Sequence, residues 1–255
     1  MNSVSAQELS KMKFDYYELS PPWNKIVGKP EKNGSIMMFS PAGSGKSTVA
    51  LQMCAEFTKH GDVLYVAAEE GISGKLQGKV ERSGIAKSDI QFLDWEDIED
   101  LKTYIKKNGI DVICIDSYTV IDYRLKTFEE FRLWCRDNGV FFTVIVQQTK
   151  DGKFYGSSNA GFNVDCQIQV IDGKPSTLET GKNRFGELYS HDVDMREEPV
   201  DFEPPKKRKS KSPSNGNKQD TKKKERRKKS TSGKVKDSDS FDKEMSEVEA
   251  MLASI

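Results

Sequence analysis

The residues Ser35-Ile-Met-Met-Phe-Ser-Pro-Ala-Gly-Ser-Gly-Lys-Ser-Thr48 place a glycine-rich turn directly after an apolar run. The run 36–39 is typical of a buried strand, and the apolar residues after Thr48 recur with a helical period. A strand, a glycine turn, a Lys-Ser pair and a helix form a phosphate-binding loop, in which N–H groups and the helix N-terminus surround an anion. Ser40 stands where this pattern usually has its first glycine, and we expect the turn to tolerate it.

This loop predicts a site for a nucleoside triphosphate and Mg²⁺. Lys46 would reach the β- and γ-phosphates, and the Ser47 hydroxyl would complete the coordination of the metal ion. The residues expected to contact the nucleotide are Pro41, Ala42, Gly43, Ser44, Gly45, Lys46, Ser47 and Thr48.

The composition predicts a folded part and a disordered part. A length of 255 residues allows one ordinary domain plus tails. The hydrophobic content of 35% and the mean hydropathy of −0.68 are low for a chain that is globular throughout. The formal net charge of 0 combines −8 in residues 1–205, +13 in 206–236 and −5 in 237–255. Such asymmetry is typical of a nucleic-acid-binding tail on an acidic core.

The four cysteines argue against a zinc site. Cys54, Cys114, Cys135 and Cys166 form no C-x-x-C pair, and neither histidine is near them in sequence. Each cysteine lies in an apolar or periodic segment, as reduced thiols of a cytosolic protein do. The N-terminus has no signal-peptide pattern, and no apolar run approaches the roughly 20 residues that span a bilayer. We therefore expect a cytoplasmic protein without a membrane partner.

Apolar runs alternate with helical patterns after the loop, which predicts an α/β fold. Strands are expected at 62–68, 90–93, 111–116 and 140–146, and helices at 72–82, 95–107 and 127–137. Three later segments alternate like antiparallel strands, namely 166–171, 176–180 and 187–192. The prediction is a mostly parallel sheet with helices on both faces and an antiparallel C-terminal extension. Tyr17 and Trp23, before the loop, would cover the edge of the core or, as the less favoured alternative, a nucleotide base.

Ligand-binding residues of such sheets gather at the carboxyl ends of the strands. Lys46, Glu69, Asp116 and Gln147 stand at four such ends. A carboxylate at Asp116 can hold Mg²⁺ through a water, opposite Ser47. Either Glu69 or its neighbour can orient the water that attacks the γ-phosphate.

Glu69 is the preferred acid because it is nearer the strand end. Glu70 would then start the next helix, where an acidic side chain is favourable. Gln147 or Gln148 can hydrogen-bond the γ-phosphate and report its loss to the following loop.

Four segments resemble the RecA superfamily of ATPases, and within it the ATPase core of the bacterial RadA (Sms) repair family. They are 63–70, 112–117, 149–165 and Lys182-Asn-Arg-Phe-Gly186. The resemblance covers roughly residues 20–195, and the pentapeptide is its most discriminating part. It implies a RecA-like P-loop fold with Glu69 as the catalytic glutamate.

The resemblance also implies a homo-oligomer, either a ring or a filament. In related ring-forming ATPases, the Lys and Arg of the final motif reach the nucleotide of the neighbouring subunit, so Lys182 and Arg184 would act in trans. A cation from outside can stabilise the charge that develops on the γ-phosphate. The alternative is that both are ordinary basic residues of an exposed strand.

The length departs from that of a RadA protein. RadA proteins carry an N-terminal zinc finger and a C-terminal Lon-protease-like domain, for which this chain has no room. We therefore expect a core-only member, similar to the short RecA-like annealing proteins of bacteriophages, acting in a bacterial or phage-infected cell.

Two loops, 118–126 and 149–159, interleave basic and aromatic residues. This pattern suits single-stranded DNA, because cations meet phosphates and rings stack on bases. A solvated loop is the alternative. The expected DNA contacts are Arg124, Lys126, Lys150, Lys153, Phe154 and Tyr155.

The predicted domains are an ATPase core with a short N-terminal extension at 1–204, a disordered basic tail at 205–239 and an amphipathic acidic helix at 240–255. The tail cannot bury enough apolar surface to fold and should bind polyanions. A nuclear localisation signal is a competing interpretation of the same residues. The final helix would dock on a partner such as a helicase or single-strand-binding protein, unless it frays or folds back on the core.

The leading hypothesis is a DNA-dependent ATPase that acts on single-stranded DNA in recombination, annealing, repair or replication. One alternative is a nucleotide-regulated DNA- or protein-binding module without significant hydrolysis. The other is a ring helicase motor, against which the lack of an N-terminal collar domain in this sequence argues.

Overall fold

A computed structural model describes residues 3–94, 97–118, 125–148, 160–171 and 176–193. The strands are β1 Ser35–Ser40, β2 Val63–Ala67, β3 Gln91–Leu93, β4 Val112–Asp116, β5 Phe141–Gln147, β6 Cys166–Ile171, β7 Ser176–Asn183 and β8 Ser190–Val193. The helices are α1 Ala6–Leu9, α2 Trp23–Ile26, α3 Lys46–Phe57, α4 Gly74–Arg82, α5 Ile98–Asn108, α6 Leu125–Asp137 and α7 Ala160–Asn163. The predicted tail and final helix lie outside the described residues.

The strands form one sheet in the order β3-β2-β4-β5-β1-β6-β7-β8. The first six strands in this order, β3-β2-β4-β5-β1-β6, all pair in parallel. The last two, β7 and β8, extend the sheet with antiparallel pairing. The predicted α/β class and the antiparallel extension are confirmed. The antiparallel expectation for 166–171 is only half right, because β6 pairs in parallel with β1 on one side and antiparallel with β7 on the other.

Side chains of the inner strands alternate between two hydrophobic layers, one on each face of the sheet. Tyr65 of β2 packs in the layer that contains α3, whereas Leu64 packs in the layer that contains α5 and α6. Every residue of β1, β2 and β4 is buried. Each fully buried aliphatic side chain contributes about 1.5–3 kcal/mol, so this double burial holds the strand ends in place.

The N-terminal segment completes one of these layers. Tyr17 and Trp23 are 2% and 7% exposed, so both belong to the core. The Tyr17 ring meets the rings of Phe57 at 5.1 Å and Phe141 at 5.6 Å, both edge to face. Such edge-to-face pairs are favourable beyond their buried area.

All four cysteines are buried and free of disulfides. Burial raises the pKa of the Cys166 thiol to about 12 and also raises that of Cys135. Thiols with such raised pKa values are poor nucleophiles, which favours a packing role. Among the described residues, no helix has both the length and the apolar character needed to cross a bilayer.

The end of β7 turns back onto the N-terminal segment. The Asn183 side chain accepts from the Phe185 N–H at 3.0 Å and donates to the Glu187 carbonyl at 3.0 Å, which shapes the turn. The Phe185 carbonyl accepts from the Lys29 N–H at 3.1 Å. Gly28 has φ +91°, and a Cβ built there would lie 2.5 Å from the Phe185 oxygen. Glycine is therefore required at position 28 by conformation and by space.

We expect Gly28→Ala to lower the free energy of unfolding by about 3 kcal/mol or more, because backbone strain and a steric clash add. Gly109→Ala is the matched control, since Gly109 has φ +65° and open space around its Cβ position. The control should lose about 1 kcal/mol from backbone conformation alone. Urea unfolding followed by circular dichroism measures both losses, and equal losses would contradict the proposed contact with Phe185.

Candidate functional site

A cleft of about 250 Å³ opens where β1, β2, β4 and β5 end. These strands are adjacent in the sheet and run in parallel, so their carboxyl ends meet at one edge. The cleft is lined by Ala42, Gly43, Gly45, Lys46, Ser47, Thr48, Glu69, Lys79, Asp116 and Gln147. The structure thus brings the four predicted strand-end residues together.

The glycine-rich turn leads into the first turn of α3. Gly43 and Gly45 have φ values of +83° and +91°, which side-chain-bearing residues rarely adopt. Gly45 caps α3 without a side chain, so no side chain bonds the first N–H groups of the helix. Those N–H groups and the positive end of the helix suit a phosphate.

Ser40 and Ser44 brace the base of this turn. Ser40 is the last residue of β1 and fully buried, and its hydroxyl makes a short hydrogen bond with the Ser44 hydroxyl. Ser44 also donates to the Pro41 carbonyl at 3.0 Å. The loop accommodates serine in place of the usual glycine by turning the side chain inward. Pro41 and Ser44, both expected to contact the nucleotide, are not among the residues that line the cleft.

The Lys46 ammonium is held inside the loop. Its side chain is 8% exposed, and Nζ donates to the carbonyls of Ser40 at 3.0 Å and Pro41 at 2.7 Å. Burial lowers the pKa of Lys46, while the carboxylates of Asp116 and Glu69 act in the opposite direction. The cleft therefore contains a partly desolvated cation with two acids nearby.

Asp116 is buried at the end of β4 and is fixed by two neighbours. The Tyr65 hydroxyl donates to Asp116 Oδ2, and the Glu69 N–H donates to the Asp116 carbonyl at 3.0 Å. Burial and the Asp116 carboxylate raise the pKa of Tyr65 well above its usual value, so the phenol remains a donor. Tyr65 was not predicted from the sequence as a site residue. It could have been recognised as a tyrosine within an otherwise aliphatic buried strand, because a buried hydroxyl needs a hydrogen-bond partner.

Glu69 and Gln147 face each other across the cleft. Gln147 Nε2 donates to Glu69 Oε2 at 3.1 Å, although β4 separates their strands. Glu70 lies in the turn after β2, forms an ion pair with Lys79 and is not a lining residue. The expectation that Glu70 starts the next helix is wrong, because α4 begins at Gly74 with Ser73 as its N-cap.

Lys79 is a second lysine of the cleft that the sequence analysis did not identify. It lies on α4, and its Nζ is 2.7 Å from Glu70 Oε1. Leu76, three residues earlier, is buried, so Lys79 lies on the side of α4 that faces the domain. The three-residue spacing between Leu76 and Lys79 is a weak indication of this position, and a helical wheel of the predicted helix would have shown it.

The oxygen ligands that Mg²⁺ prefers are present in the cleft. The Ser47 hydroxyl and the Asp116 carboxylate both line it, and Mg²⁺ is commonly held by one or two carboxylates with the phosphates of the nucleotide. Among the described residues, no group of three or more His, Cys, Asp or Glu side chains offers a separate metal site. The donor set therefore fits a magnesium ion that arrives with a nucleotide.

Lys182 and Arg184 lie outside this cleft in the same chain. Lys182 Nζ donates to the Val164 carbonyl at 2.5 Å, and burial lowers the Lys182 pKa. Arg184 pairs with Asp165 Oδ1 at 3.1 Å and its side chain is 59% exposed. Their predicted action on a neighbouring subunit stays a prediction.

Most of the predicted DNA contacts lie outside the described residues. Of the predicted contacts, the structure describes Lys126, which lies at the start of α6. Its side chain is 86% exposed, and its Nζ is 3.8 Å from Glu130 Oε1. The others are Arg124, Lys150, Lys153, Phe154 and Tyr155.

Comparison with known proteins finds relatives named DNA repair protein RadA. No family model matches the chain. DNA repair protein RadA of Chlamydia muridarum is 32% identical over 205 residues, which cover 73% of this chain and 44% of that protein. The Escherichia coli RadA protein is 23% identical over 202 residues, covering 73% and 43%. The chain therefore matches less than half the length of these relatives.

The solved structure of an ATPase domain superposes on this chain with a TM-score of 0.56 at 10% identity. The superposition covers 74% of this chain and 91% of that domain, so it extends over almost the whole ATPase domain. Fold, loop geometry and relatives agree with the resemblance seen in the sequence. The chain has a RecA-like P-loop fold, and its sequence is similar to part of the RadA proteins.

Proposed function

We propose that this core binds ATP with Mg²⁺, hydrolyses it and couples the cycle to binding of single-stranded DNA. The observation that carries the proposal is the convergence of Lys46, Glu69, Asp116 and Gln147 on one cleft beside an uncapped helix N-terminus. Four strand ends supply a phosphate-binding cation, a metal ligand, an acid and an amide, which is the set of groups that phosphoryl transfer requires.

The groups of the cleft divide the work of hydrolysis between them. The loop N–H groups and Lys46 hold the phosphates, and Ser47 and Asp116 are the residues that would hold Mg²⁺. The metal ion, when bound, neutralises charge on the β- and γ-phosphate oxygens. Gln147 donates a hydrogen bond to Glu69 Oε2. The other oxygen of that carboxylate can then accept a proton from the attacking water.

Lys46→Ala should lose tight ATP binding, because the cation that meets the phosphates is removed. Glu69→Gln should bind ATP normally and hydrolyse it on the order of 10²-fold more slowly, as expected for the loss of a general base. Equilibrium binding of a fluorescent ATP analogue and a phosphate-release assay measure the two effects separately.

Glu70→Gln is the comparison for the phosphate-release assay, because Glu70 adjoins Glu69 but does not line the cleft. Hydrolysis at the parent rate in Glu69→Gln, together with a large loss in Glu70→Gln, would transfer the role to Glu70. Parent protein that binds ATP but releases no phosphate, with or without single-stranded DNA, would favour the nucleotide-regulated binding module.

A neighbouring copy of the chain would complete the site. Arg184 is exposed and lies outside the cleft of its own chain, so its guanidinium is accessible to another subunit. In related phosphoryl-transfer enzymes a cation supplied in trans stabilises the charge of the transition state. We assign this role to Arg184, with Lys182 beside it. Electron microscopy with single-stranded DNA and a non-hydrolysable ATP analogue would distinguish rings from filaments.

Arg184→Ala should bind ATP normally and hydrolyse it on the order of 10³-fold more slowly. Mixing it with Asp116→Asn should restore part of the activity, because one interface then pairs an intact cleft with an intact arginine. Arg136→Ala is the matched control, since Arg136 is also an exposed arginine paired with an aspartate. Mixed oligomers without any restored activity would argue against action in trans.

DNA binding is proposed from the relatives and from charge. Proteins named DNA repair protein RadA align with the core, and residues 206–236 carry a net charge of +13. A run of positive charge attracts phosphates irrespective of base sequence. We assign the electrostatic part of DNA binding to this segment and base stacking to the loop 149–159.

Truncation after Asp201 should weaken binding of single-stranded DNA and leave DNA-free ATP hydrolysis within a few-fold of the parent rate. Each DNA phosphate that the shortened protein no longer neutralises should reduce the slope of log affinity against log salt by about 0.7, so the slope should fall by several units. A salt titration with fluorescent single-stranded DNA measures the slope for both proteins. An unchanged slope would favour a nuclear signal or a protein-binding role for the tail.

A further inference from the structure

The cleft contains a second ammonium group to which the proposed mechanism assigns no role. Lys79 of α4 lines the cleft together with Lys46, and its Nζ lies 2.7 Å from the Glu70 carboxylate. Glu70 directly follows Glu69, the acid proposed to orient the water. A cation is thus attached to the turn that carries the proposed general base.

We propose that Lys79 is a sensor of the terminal phosphate, which pairs with Glu70 in one state of the site and with the γ-phosphate in the other. The proposal rests on the nucleotide binding proposed above and adds a regulatory device to the same site. It assigns to Lys79 a preference for nucleoside triphosphate over diphosphate. Lys46 would serve both nucleotides, because it meets the β-phosphate as well.

The position of Lys79 supports contact with the γ-phosphate. Besides the loop residues, the cleft is lined by Glu69, Asp116 and Gln147, which stand at the strand ends where the terminal phosphate is expected. Lys79 shares the cleft with these three residues and comes from the helix that follows the Glu69 turn. Lys79 therefore reaches the cleft from a helix outside the phosphate-binding loop, on the side where the γ-phosphate is expected.

Electrostatics gives a reason for the exchange of partners. Lys46 and Lys79 line one cleft of about 250 Å³, so their two positive charges repel each other. An anion placed between them relieves this repulsion. A γ-phosphate carries more negative charge than one carboxylate and offers more acceptor oxygens, so it competes well with Glu70 for Lys79.

The ion pair between Lys79 and Glu70 is largely buried, so a change of partner for Lys79 has a larger electrostatic effect than it would at the surface. The side chains of Lys79 and Glu70 are 28% and 14% exposed, so water screens their interaction less than it screens a surface pair. Release of Lys79 would free the Glu70 carboxylate and the turn that Glu70 shares with Glu69. Loss of the γ-phosphate after hydrolysis would return the lysine to Glu70, which links the turn to the state of the nucleotide.

The first test compares two nucleotides in Lys79→Ala. Affinity for a fluorescent non-hydrolysable ATP analogue should fall by about tenfold, the loss expected for one hydrogen bond to a charged group. Affinity for the corresponding ADP derivative should change by less than twofold. Lys75→Ala is the matched control, because Lys75 is an exposed lysine one turn earlier on α4 and does not line the cleft.

Two further variants separate charge from shape. Lys79→Arg keeps the positive charge and should keep most of the preference for the ATP analogue, whereas Lys79→Gln removes the charge, keeps much of the side-chain volume and should lose it. Equal losses for both nucleotides in Lys79→Ala, or no loss, would overturn the sensor role and leave a structural ion pair.

The second test concerns the exchange with Glu70. Glu70→Gln should strengthen binding of the ATP analogue several-fold in the parent protein, because a competitor for Lys79 is removed. It should have no such effect in the Lys79→Ala background. The same gain in both backgrounds would show that Glu70 repels the nucleotide directly, and the exchange would then be wrong.

A site that binds no nucleotide and a Lys79 without a sensor role give different results in these assays. If the site does not take nucleotides, the parent protein and Lys75→Ala bind neither derivative, which overturns both proposals. If only the sensor role is wrong, both proteins bind the two derivatives and Lys46→Ala still weakens them. In that case Lys79→Ala shows no selective loss.

Discussion

Parallel pairing of β2, β4, β5 and β1 is the constraint on which the site depends. It brings four strand ends to one edge of the sheet, and those ends carry or immediately precede the polar residues of the cleft. The strands are buried on both faces, so a shift in their register would move the polar residues at their ends into the core. The core thereby fixes the positions of the polar groups.

Hydrogen bonds then join the strand ends to one another. Tyr65 of β2 fixes the Asp116 carboxylate, the Asp116 carbonyl fixes the Glu69 N–H, and Gln147 of β5 fixes the Glu69 carboxylate. Asp116, the proposed metal ligand, and Glu69, the proposed general base, are therefore members of one network across three neighbouring strands. Such preorganised contacts hold reactive groups in place before a ligand arrives.

The sequence predicted those parts of the fold and site that depend on local pattern. The glycine turn, the buried runs and the polar residues that end them all have signals within a few neighbouring residues, so Lys46, Glu69 and Asp116 could be placed at one edge. Tyr65 and Lys79 were missed because their roles arise from packing between elements. The direction of β6 was predicted only in part, because alternation shows a half-buried strand and does not give the direction of its neighbour. Most residues of the two segments predicted to contact DNA, 118–126 and 149–159, lie outside the described residues, and these contacts stay predictions.

The residues of the pentapeptide Lys182-Asn-Arg-Phe-Gly186, at the end of β7 and in the turn after it, have two different roles. Asn183, Phe185 and Gly186 build the turn and seat it against Gly28, whereas Lys182 and Arg184 carry the charges. The motif is therefore as much a mark of backbone architecture as of chemistry. A related protein that keeps the asparagine, phenylalanine and glycine but lacks both basic residues would still pack this turn against its N-terminal segment. Its sequence similarity alone would then overstate its catalytic activity.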